Sequence, residues 1–272
     1  MNRNKIYSRI TDTILQKLKE GTAVWKKTWS VGLPTNLISK KEYQGINFLS
    51  LLTKDFPSKF FLTFKQCEDR GGRINKGAKG FPIIFWKLKE IEVETGKKRE
   101  IKEVPIARLS YVFNLSQTSL YEDKSEELKL PSCESIIESM KDKPVIKHNS
   151  SRCYYSIKGG YISLPKISDF DSPDTFYETL FHELIHATGH KSRLNRFESD
   201  QALEEYSKEE LIAELGASYL CSLTGISNNV IENQAAYIDG WYKKLSSQPE
   251  ILIEAAKEAQ KAVDYLLGEL CR

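Results

Sequence analysis

The chain has 272 residues, of which 40% are hydrophobic and 28% are charged. With 15 Gly and 9 Pro, this composition excludes collagen-like, low-complexity and disulfide-stapled chains. No apolar run approaches the roughly 18–20 residues of a membrane-spanning helix, and the polar start does not resemble an export signal. The five cysteines are scattered and contain no C-x-x-C pair. We therefore expect a reduced, cytoplasmic protein that contacts no membrane.

Positive charge is concentrated at the beginning of the chain. Residues 1–110 contain 23 Lys and Arg against 11 Asp and Glu, whereas residues 111–272 contain 17 against 26. Such asymmetry indicates two domains with different partners, the first of them a polyanion. A basic surface that only aids solubility is the simpler alternative.

The first half is predicted to mix helices and strands. An amphipathic helix covers residues 3–20, a short helix covers 46–52, and Thr63 caps a third helix. Segments 81–88 and 101–113 are rich in β-branched and aromatic residues, and we expect them to pair as a hairpin.

The second half is predicted to place short strands before long helices. The strands cover 145–147, 154–157 and 161–164, and the helices cover 135–140, 172–189, 207–225, 232–244 and 249–267. The polar stretch 116–131 is the candidate linker. The sequence therefore predicts an α+β fold with two domains, 1–125 and 126–272.

Three residues in the second half form an H-E-x-x-H motif, namely His182, Glu183 and His186. Residues four apart share a helix face, so both imidazoles can reach one metal ion. Glu183 is then the candidate general base, beside a water activated at the site. The alternative is a pair of core or solvated histidines, which would leave Glu183 against an apolar face without a purpose.

A zinc site needs at least one further protein ligand and an open position for water. His190 continues the i, i+4, i+8 series, but a straight helix carries it about 12 Å along the axis from His182. Glu210 and Glu214 share a face of the next helix in an arrangement that resembles the glutamate helix of gluzincins. By that resemblance Glu210 binds Zn²⁺ and Glu214 orients a ligand histidine. The alternative for Glu210 is a capping box with Ser207.

The motifs occur in an order that resembles ArdC-type antirestriction proteins. In the second half these are 182–190, 193–196 and 209–217, and in the first half 33–36, 43–47, 63–66, 71–77 and 112–114. The resemblance covers most of residues 1–225. It implies a domain that binds single-stranded DNA joined to a zincin, encoded by plasmids, phages or other mobile elements. A related first domain precedes some plasmid primases.

Independently of this resemblance, the first half interleaves aromatic and basic residues. Single strands are bound by cationic grooves together with aromatic side chains on which bases stack, largely without sequence preference. The candidate DNA-binding residues are Trp25, Lys26, Lys27, Trp29, Lys41, Tyr43, Asn47, Arg73, Lys76, Lys79 and Trp86. Most of the seven phenylalanines between residues 48 and 85 are expected in the core instead.

Together these features predict an antirestriction-type protein that binds single-stranded DNA and carries a zinc site, with a protein or peptide as the possible substrate. Two alternatives stay open. In the first, the chain is a DNA-protecting protein whose zinc is only structural. In the second, it is a zinc peptidase that cleaves a host or DNA-bound protein. An open coordination position favours an enzyme, whereas a fourth protein ligand such as His190 favours structural zinc.

Overall fold

The first half of the chain forms helices around a four-stranded sheet. The computed structural model describes residues 3–26, 32–95, 98–122, 130–148, 150–197, 204–226 and 234–268. The helices of this half are α1 (Arg3–Lys19), α2 (Ile46–Leu51) and α3 (Phe64–Glu68). The strands are β1 (Thr35–Asn36), β2 (Phe60–Thr63), β3 (Phe81–Thr95) and β4 (Lys98–Asn114), in the spatial order β1-β2-β4-β3.

The helices and the hairpin predicted for this half are confirmed. Thr63 caps α3, because its hydroxyl accepts from the backbone N–H of Gln66 at 3.1 Å. The Gln66 side chain accepts in return from the N–H of Thr63 at 2.8 Å. Strands β3 and β4 pair antiparallel along their whole length. Strands β1, of two residues, and β2, of four, were not predicted.

The second half begins with α4 (Cys133–Ser139) and a sheet of short strands. These are β5 (Val145–Lys147), β6 (Tyr154–Ser156) and β7 (Tyr161–Ser163), in the order β5-β7-β6. Longer helices follow, namely α5 (Pro173–Thr188), α6 (Glu204–Thr224), α7 (Gln234–Ser247) and α8 (Glu250–Leu267). Each of these elements lies within a few residues of its predicted position. The predicted α+β fold class is therefore confirmed.

The two halves share one continuous core of buried apolar side chains. Helix α1 packs against α7, and α2 packs against α8. Polar contacts cross the same boundary: the N–H of Gly45 donates to Gln260 at 3.1 Å, and the Tyr219 hydroxyl donates to Glu42 at 3.3 Å. The domain boundary near residue 125 stays a prediction. No helix in the described ranges is long and apolar enough to cross a membrane.

Trp25 belongs to this shared core, so its assignment as a DNA-stacking platform is wrong. Its side chain is 0% exposed and its ring lies edge-on to Trp241 of α7, with 6.3 Å between the centroids. A large apolar ring flanked by lysines fits either a stacking platform or a core. Here the neighbouring helices provide the apolar contacts that decide for the core.

Tyr43 and Asn47 also hold the fold together, and their predicted role in DNA binding stays a prediction. Tyr43 is half-buried, accepts from the amide of Asn36 at 3.0 Å, and packs edge-on against Phe61. Burial raises the pKa of its phenol. The Asn47 side chain donates to the carbonyl of Ile84 and accepts from the N–H of Ile84, both at 2.7 Å. It thereby joins α2 to β3.

We expect the Trp25→Ala variant to lose about 3–5 kcal/mol of unfolding free energy, because it empties a core site between the two halves. The matched control is Trp86→Ala, which truncates a side chain that is 53% exposed and is expected to change stability by less than about 0.5 kcal/mol. Urea denaturation followed by circular dichroism measures both. Equal stability of the two variants would contradict the core position of Trp25.

Candidate metal centre and nucleic-acid interface

Helix α5 positions His182, Glu183 and His186. The helix begins where the Ser172 hydroxyl accepts from the N–H of Thr175 at 3.2 Å, with a proline at its first position. Its apolar residues are buried in the core, namely Phe176, Leu180, Phe181, Leu184 and Ile185. The two imidazoles project from the other side, half-buried, and their Nε2 atoms lie 3.0 Å apart. The predicted helical spacing is thereby confirmed.

Glu210 on α6 completes a group of three metal donors. Its two carboxylate oxygens lie 3.5 Å from the Nε2 atoms of His182 and His186. Donors bound about 2.0–2.1 Å from one tetrahedral ion lie roughly 3.3 Å apart, so these separations fit a single ion. Among the described residues, this is the group of three or more His, Cys, Asp or Glu side chains that could hold a metal.

Both competing interpretations of the donor set fail on geometry. Helix α6 is already formed at Glu204, so Ser207 lies inside the helix and not at its N-cap. The capping-box alternative for Glu210 is therefore wrong. His190 lies outside the donor group, and its Nδ1 is 2.8 Å from the hydroxyl of Ser192.

Glu209 and Arg196 support the centre, and the sequence analysis did not select either. Glu209 lies 3.3 Å from Nδ1 of His186. Arg196 donates to both carboxylate oxygens of Glu209, at 2.7 and 3.0 Å. Such a bidentate pair fixes the carboxylate, which in turn fixes the tautomer and orientation of the imidazole. The contact expected between Glu214 and a ligand histidine stays a prediction.

Arg196 also ties the loop after α5 to the end of that helix. Its guanidinium donates to the hydroxyl of Thr188 and to the carbonyl of Ile185, both at 2.8 Å. The loop comes so close that a Cβ on Gly189 would lie 2.7 Å from the ring of Phe197. A glycine at this position therefore lets the loop fold back and bring Arg196 to Glu209.

The electrostatics of the centre follow from burial and close charge pairs. Burial disfavours the imidazolium of His186, but the carboxylates of Glu209 and Glu210 outweigh it and raise the pKa of His186 to about 9. Burial acts to raise the pKa of Glu210, but the neighbouring His182 and His186 outweigh it and hold that pKa well below the usual range. The arrangement thus keeps Glu210 as an anionic donor.

Glu183 is only 6% exposed and lies against the short sheet. The backbone of Tyr155 in β6 lies near its carboxylate. Burial raises its pKa, although the neighbouring histidines act in the opposite direction. A raised pKa suits a carboxyl group for taking up a proton and then releasing it.

The centre opens into a cleft of about 340 Å³. One wall is the edge strand β6 with its flanking residues, and the other carries the donors from α5 and α6. The lining residues are Cys153, Tyr154, Tyr155, Ile157, His182, Glu183, His186, Phe197, Glu209 and Glu210.

In the first half, Arg73, Lys76 and Lys79 are exposed on one loop. The loop is held against residues 115–119, where the side chain of Gln117 donates to the carbonyl of Lys79 at 3.2 Å. Lys41 is exposed too. Lys27 and Trp29 lie outside the described residues, as does the side chain of Lys26.

The hairpin continues this basic loop with exposed aromatic rings. Gly80 packs directly against Tyr111, an exposed residue that the sequence analysis missed. Trp86 pairs with Ala107, so Trp86 and Tyr111 project from the same face roughly 13 Å apart. Most of the seven phenylalanines are at least half-buried, as expected, namely Phe48, Phe56, Phe60, Phe61 and Phe81, whereas Phe64 and Phe85 are exposed.

Comparison with known proteins agrees with both halves. Residues 117–258 match the family of zincin-like metallopeptidases, and residues 4–113 match the N-terminal domain of anti-restriction factor ArdC. The crystal structure of the antirestriction ArdC protein of plasmid R388, in its metal-free form, is 32% identical, with 96% of each chain covered and a TM-score of 0.78. The chain belongs to the ArdC family.

Two further proteins are similar to this ArdC family member over nearly its whole length. The Mn(II)-bound crystal structure of the R388 protein is also 32% identical over 96% of each chain, with a TM-score of 0.75. The DNA primase TraC of Escherichia coli is 30% identical over 98% of this chain. The chain spans only 27% of the length of that primase.

Helix α6 can approach α5 because residue 216 is glycine. A Cβ there would lie 2.7 Å from Ile185 of α5. We expect Gly216→Ala to lower the unfolding free energy by about 1–3 kcal/mol through overpacking. The matched control is Gly240→Ala on α7, where a Cβ meets no atom within 4 Å and stability should rise by about 0.4–1 kcal/mol. Denaturation midpoints measure both, and a gain in both variants would contradict the close helix contact.

Proposed function

We propose that this chain is an antirestriction-type protein of a mobile element that binds single-stranded DNA and holds zinc in a peptidase-like site. The observation that carries the metal part is the group formed by His182, His186 and Glu210, whose donor atoms lie at separations that one ion requires. Family membership supports the antirestriction role, and the Mn(II)-bound relative supports a divalent cation at this centre. We place the protein in the cytoplasm, where it meets incoming DNA.

Each residue of the centre has a distinct role in this proposal. His182, His186 and Glu210 would hold the cation, which would supply Lewis-acid chemistry by polarising a carbonyl group and activating water. Glu183 would accept a proton on its carboxylate oxygen as the oxygen of a water bonds to the peptide carbonyl carbon, and would give that proton to the amine nitrogen as the C–N bond breaks. Glu209 and Arg196 keep the ring of His186 in position.

The cleft favours an enzyme over a structural metal. Three protein donors face open space beside β6, and His190, the candidate fourth ligand, is engaged with Ser192. Structural zinc sites are usually closed by four protein ligands, whereas catalytic sites keep one position for water. A protein or peptide is therefore the substrate class that we propose.

DNA binding is assigned to the basic loop and the hairpin face that follows it. Phosphates contact Arg73, Lys76 and Lys79, and bases stack on Tyr111 and Trp86. Since stacking accepts any base, the binding is not specific for sequence. The similarity to a DNA primase over nearly the whole chain supports a DNA partner.

The proposed metal site is tested by calorimetric titration of the full-length chain, freed of metal, with Zn²⁺ and Mn²⁺. His182→Ala and His186→Ala should each abolish tight zinc binding, because each variant removes a direct ligand. Glu183→Gln should retain the metal and lose all cleavage of fluorescein-labelled casein, because it removes only the proton carrier.

Controls separate the alternatives at the same centre. His190→Ala should leave zinc affinity unchanged, and loss of zinc in this variant would instead support a structural site with four protein ligands. Glu210→Ala should weaken zinc binding more than Glu214→Ala, and the reverse order would reassign the third ligand. Wild-type protein that binds zinc but cleaves no casein would favour the DNA-protecting alternative.

The DNA prediction compares two exposed residues on one face of β3. Trp86→Ala should weaken binding of an oligo-dT strand by about 1–3 kcal/mol without changing the salt slope, because a stacking ring is lost. Leu88→Ala is the matched control, since Leu88 is 59% exposed on the same face but cannot stack. Replacing Lys76 and Lys79 by Ala should reduce the slope of log affinity against log salt by roughly 0.7 per lost contact. Fluorescence anisotropy measures these effects, and equal losses in the Trp86 and Leu88 variants would contradict stacking.

A further inference from the structure

The acidic second half contains one segment with the opposite charge. Residues 143–166 carry five Lys and Arg and no Asp or Glu, although residues 111–272 as a whole contain more acidic than basic residues. All five cations are exposed, namely Lys143, Lys147, Arg152, Lys158 and Lys166. This segment forms the three-stranded sheet beside the metal centre and its connecting turns. Such a local surplus complements a polyanion.

The sheet has one face in the core and one face in solvent. Tyr155 and Ile162 are buried and pack into the shared core. Because successive residues alternate across a strand, Lys147, Tyr154 and Tyr161 project from the other face. We call the surface formed by these last three residues the outer sheet surface. Arg152 and Lys158 lie at its margins.

Aromatic rings and cations are directly associated on the outer sheet surface. The Lys147 ammonium lies 3.7 Å from the ring centroid of Tyr161, and the rings of Tyr154 and Tyr161 are 6.3 Å apart. Tyr154 is 39% exposed. Paired aromatic rings and cations are the combination with which proteins bind single strands, because bases stack on the rings and phosphates contact the cations.

We propose that the outer sheet surface is a second binding site for single-stranded nucleic acid. Bases stack on Tyr154, and Lys147, Arg152 and Lys158 contact phosphates. The site goes beyond the DNA contacts proposed for the first half, since it lies in the second half of the chain and adjoins the metal centre. It rests on the proposed function only in that both sites bind the same class of ligand.

The position of this surface gives it a consequence for the cleft. Tyr154 lies both on the outer sheet surface and in the wall of the cleft. The carboxylates of Glu183 and Glu210 repel phosphates from the interior of the cleft, so the strand passes along its rim. A protein bound to the same strand is thereby brought to the mouth of the centre, which fits a DNA-bound protein as the substrate.

The first test is photo-crosslinking of the full-length chain to a 30-nucleotide strand that carries 5-iodouracil, followed by peptide mass spectrometry. We expect crosslinks at Tyr154 or Tyr161 in addition to those at Trp86 or Tyr111. Crosslinks confined to residues 32–122 would overturn the second site and leave the first intact. Absence of both crosslinks and binding would overturn the proposed DNA function itself.

The second test reverses two charges on the outer sheet surface. Lys147→Glu with Lys158→Glu should lower affinity for the 30-nucleotide strand at least fivefold and reduce the salt slope by roughly 0.7 per lost contact. The matched control is Lys243→Glu with Lys257→Glu, which makes the same charge change at exposed positions of α7 and α8. An equal loss in both double variants would show a general charge effect and overturn the site. Unchanged DNA affinity would overturn it as well, in favour of an acidic protein as the occupant.

Discussion

The contact between α5 and α6 is the constraint on which the metal centre depends. Two of the proposed ligands lie on α5 and the third on α6, so the spacing of the helices decides whether one ion can touch all three. Residue 216 is glycine, and a side chain at this position would collide with Ile185 of α5. The Arg196–Glu209 pair then joins the two helices from the loop that connects them. A shift of about 1 Å in either helix would spoil the coordination distances, which vary by only a few tenths of an ångström.

The features that the sequence predicted correctly are local. The H-E-x-x-H spacing defines a helix face, and the Ser172-Pro173 start defines where that helix begins. The short strands and long helices of the second half follow from hydrophobic periodicity and turn residues. Glu210 was selected because its helix resembles the glutamate helix of gluzincins, and its role as a metal ligand stays a prediction. The family model that matches residues 117–258 supports the zincin-like domain.

The features that the sequence did not predict depend on tertiary contacts. Glu209 looks like an ordinary surface acid until the loop brings Arg196 to it. Trp25 is followed by two lysines, as a tryptophan exposed for base stacking would also be. Only its contact with Trp241 in the folded chain shows that it is buried. Phe64 and Phe85 are the two exposed phenylalanines of a set that is otherwise at least half-buried, and the sequence did not distinguish them because it does not show which face of a strand or helix is covered.

The double hydrogen bond between Asn47 and Ile84 has a consequence for the edge of the larger sheet. Strand β3 is the last in the order β1-β2-β4-β3, so within the described ranges no strand lies beside its outer N–H and C=O groups. Asn47 satisfies both main-chain groups of Ile84, and Ser50 donates to the carbonyl of Pro82 at 2.7 Å. Two side chains of α2 thus imitate a fifth strand. At residues 82–84 they cover the edge to which another chain would otherwise add, which works against edge-to-edge aggregation at this part of β3.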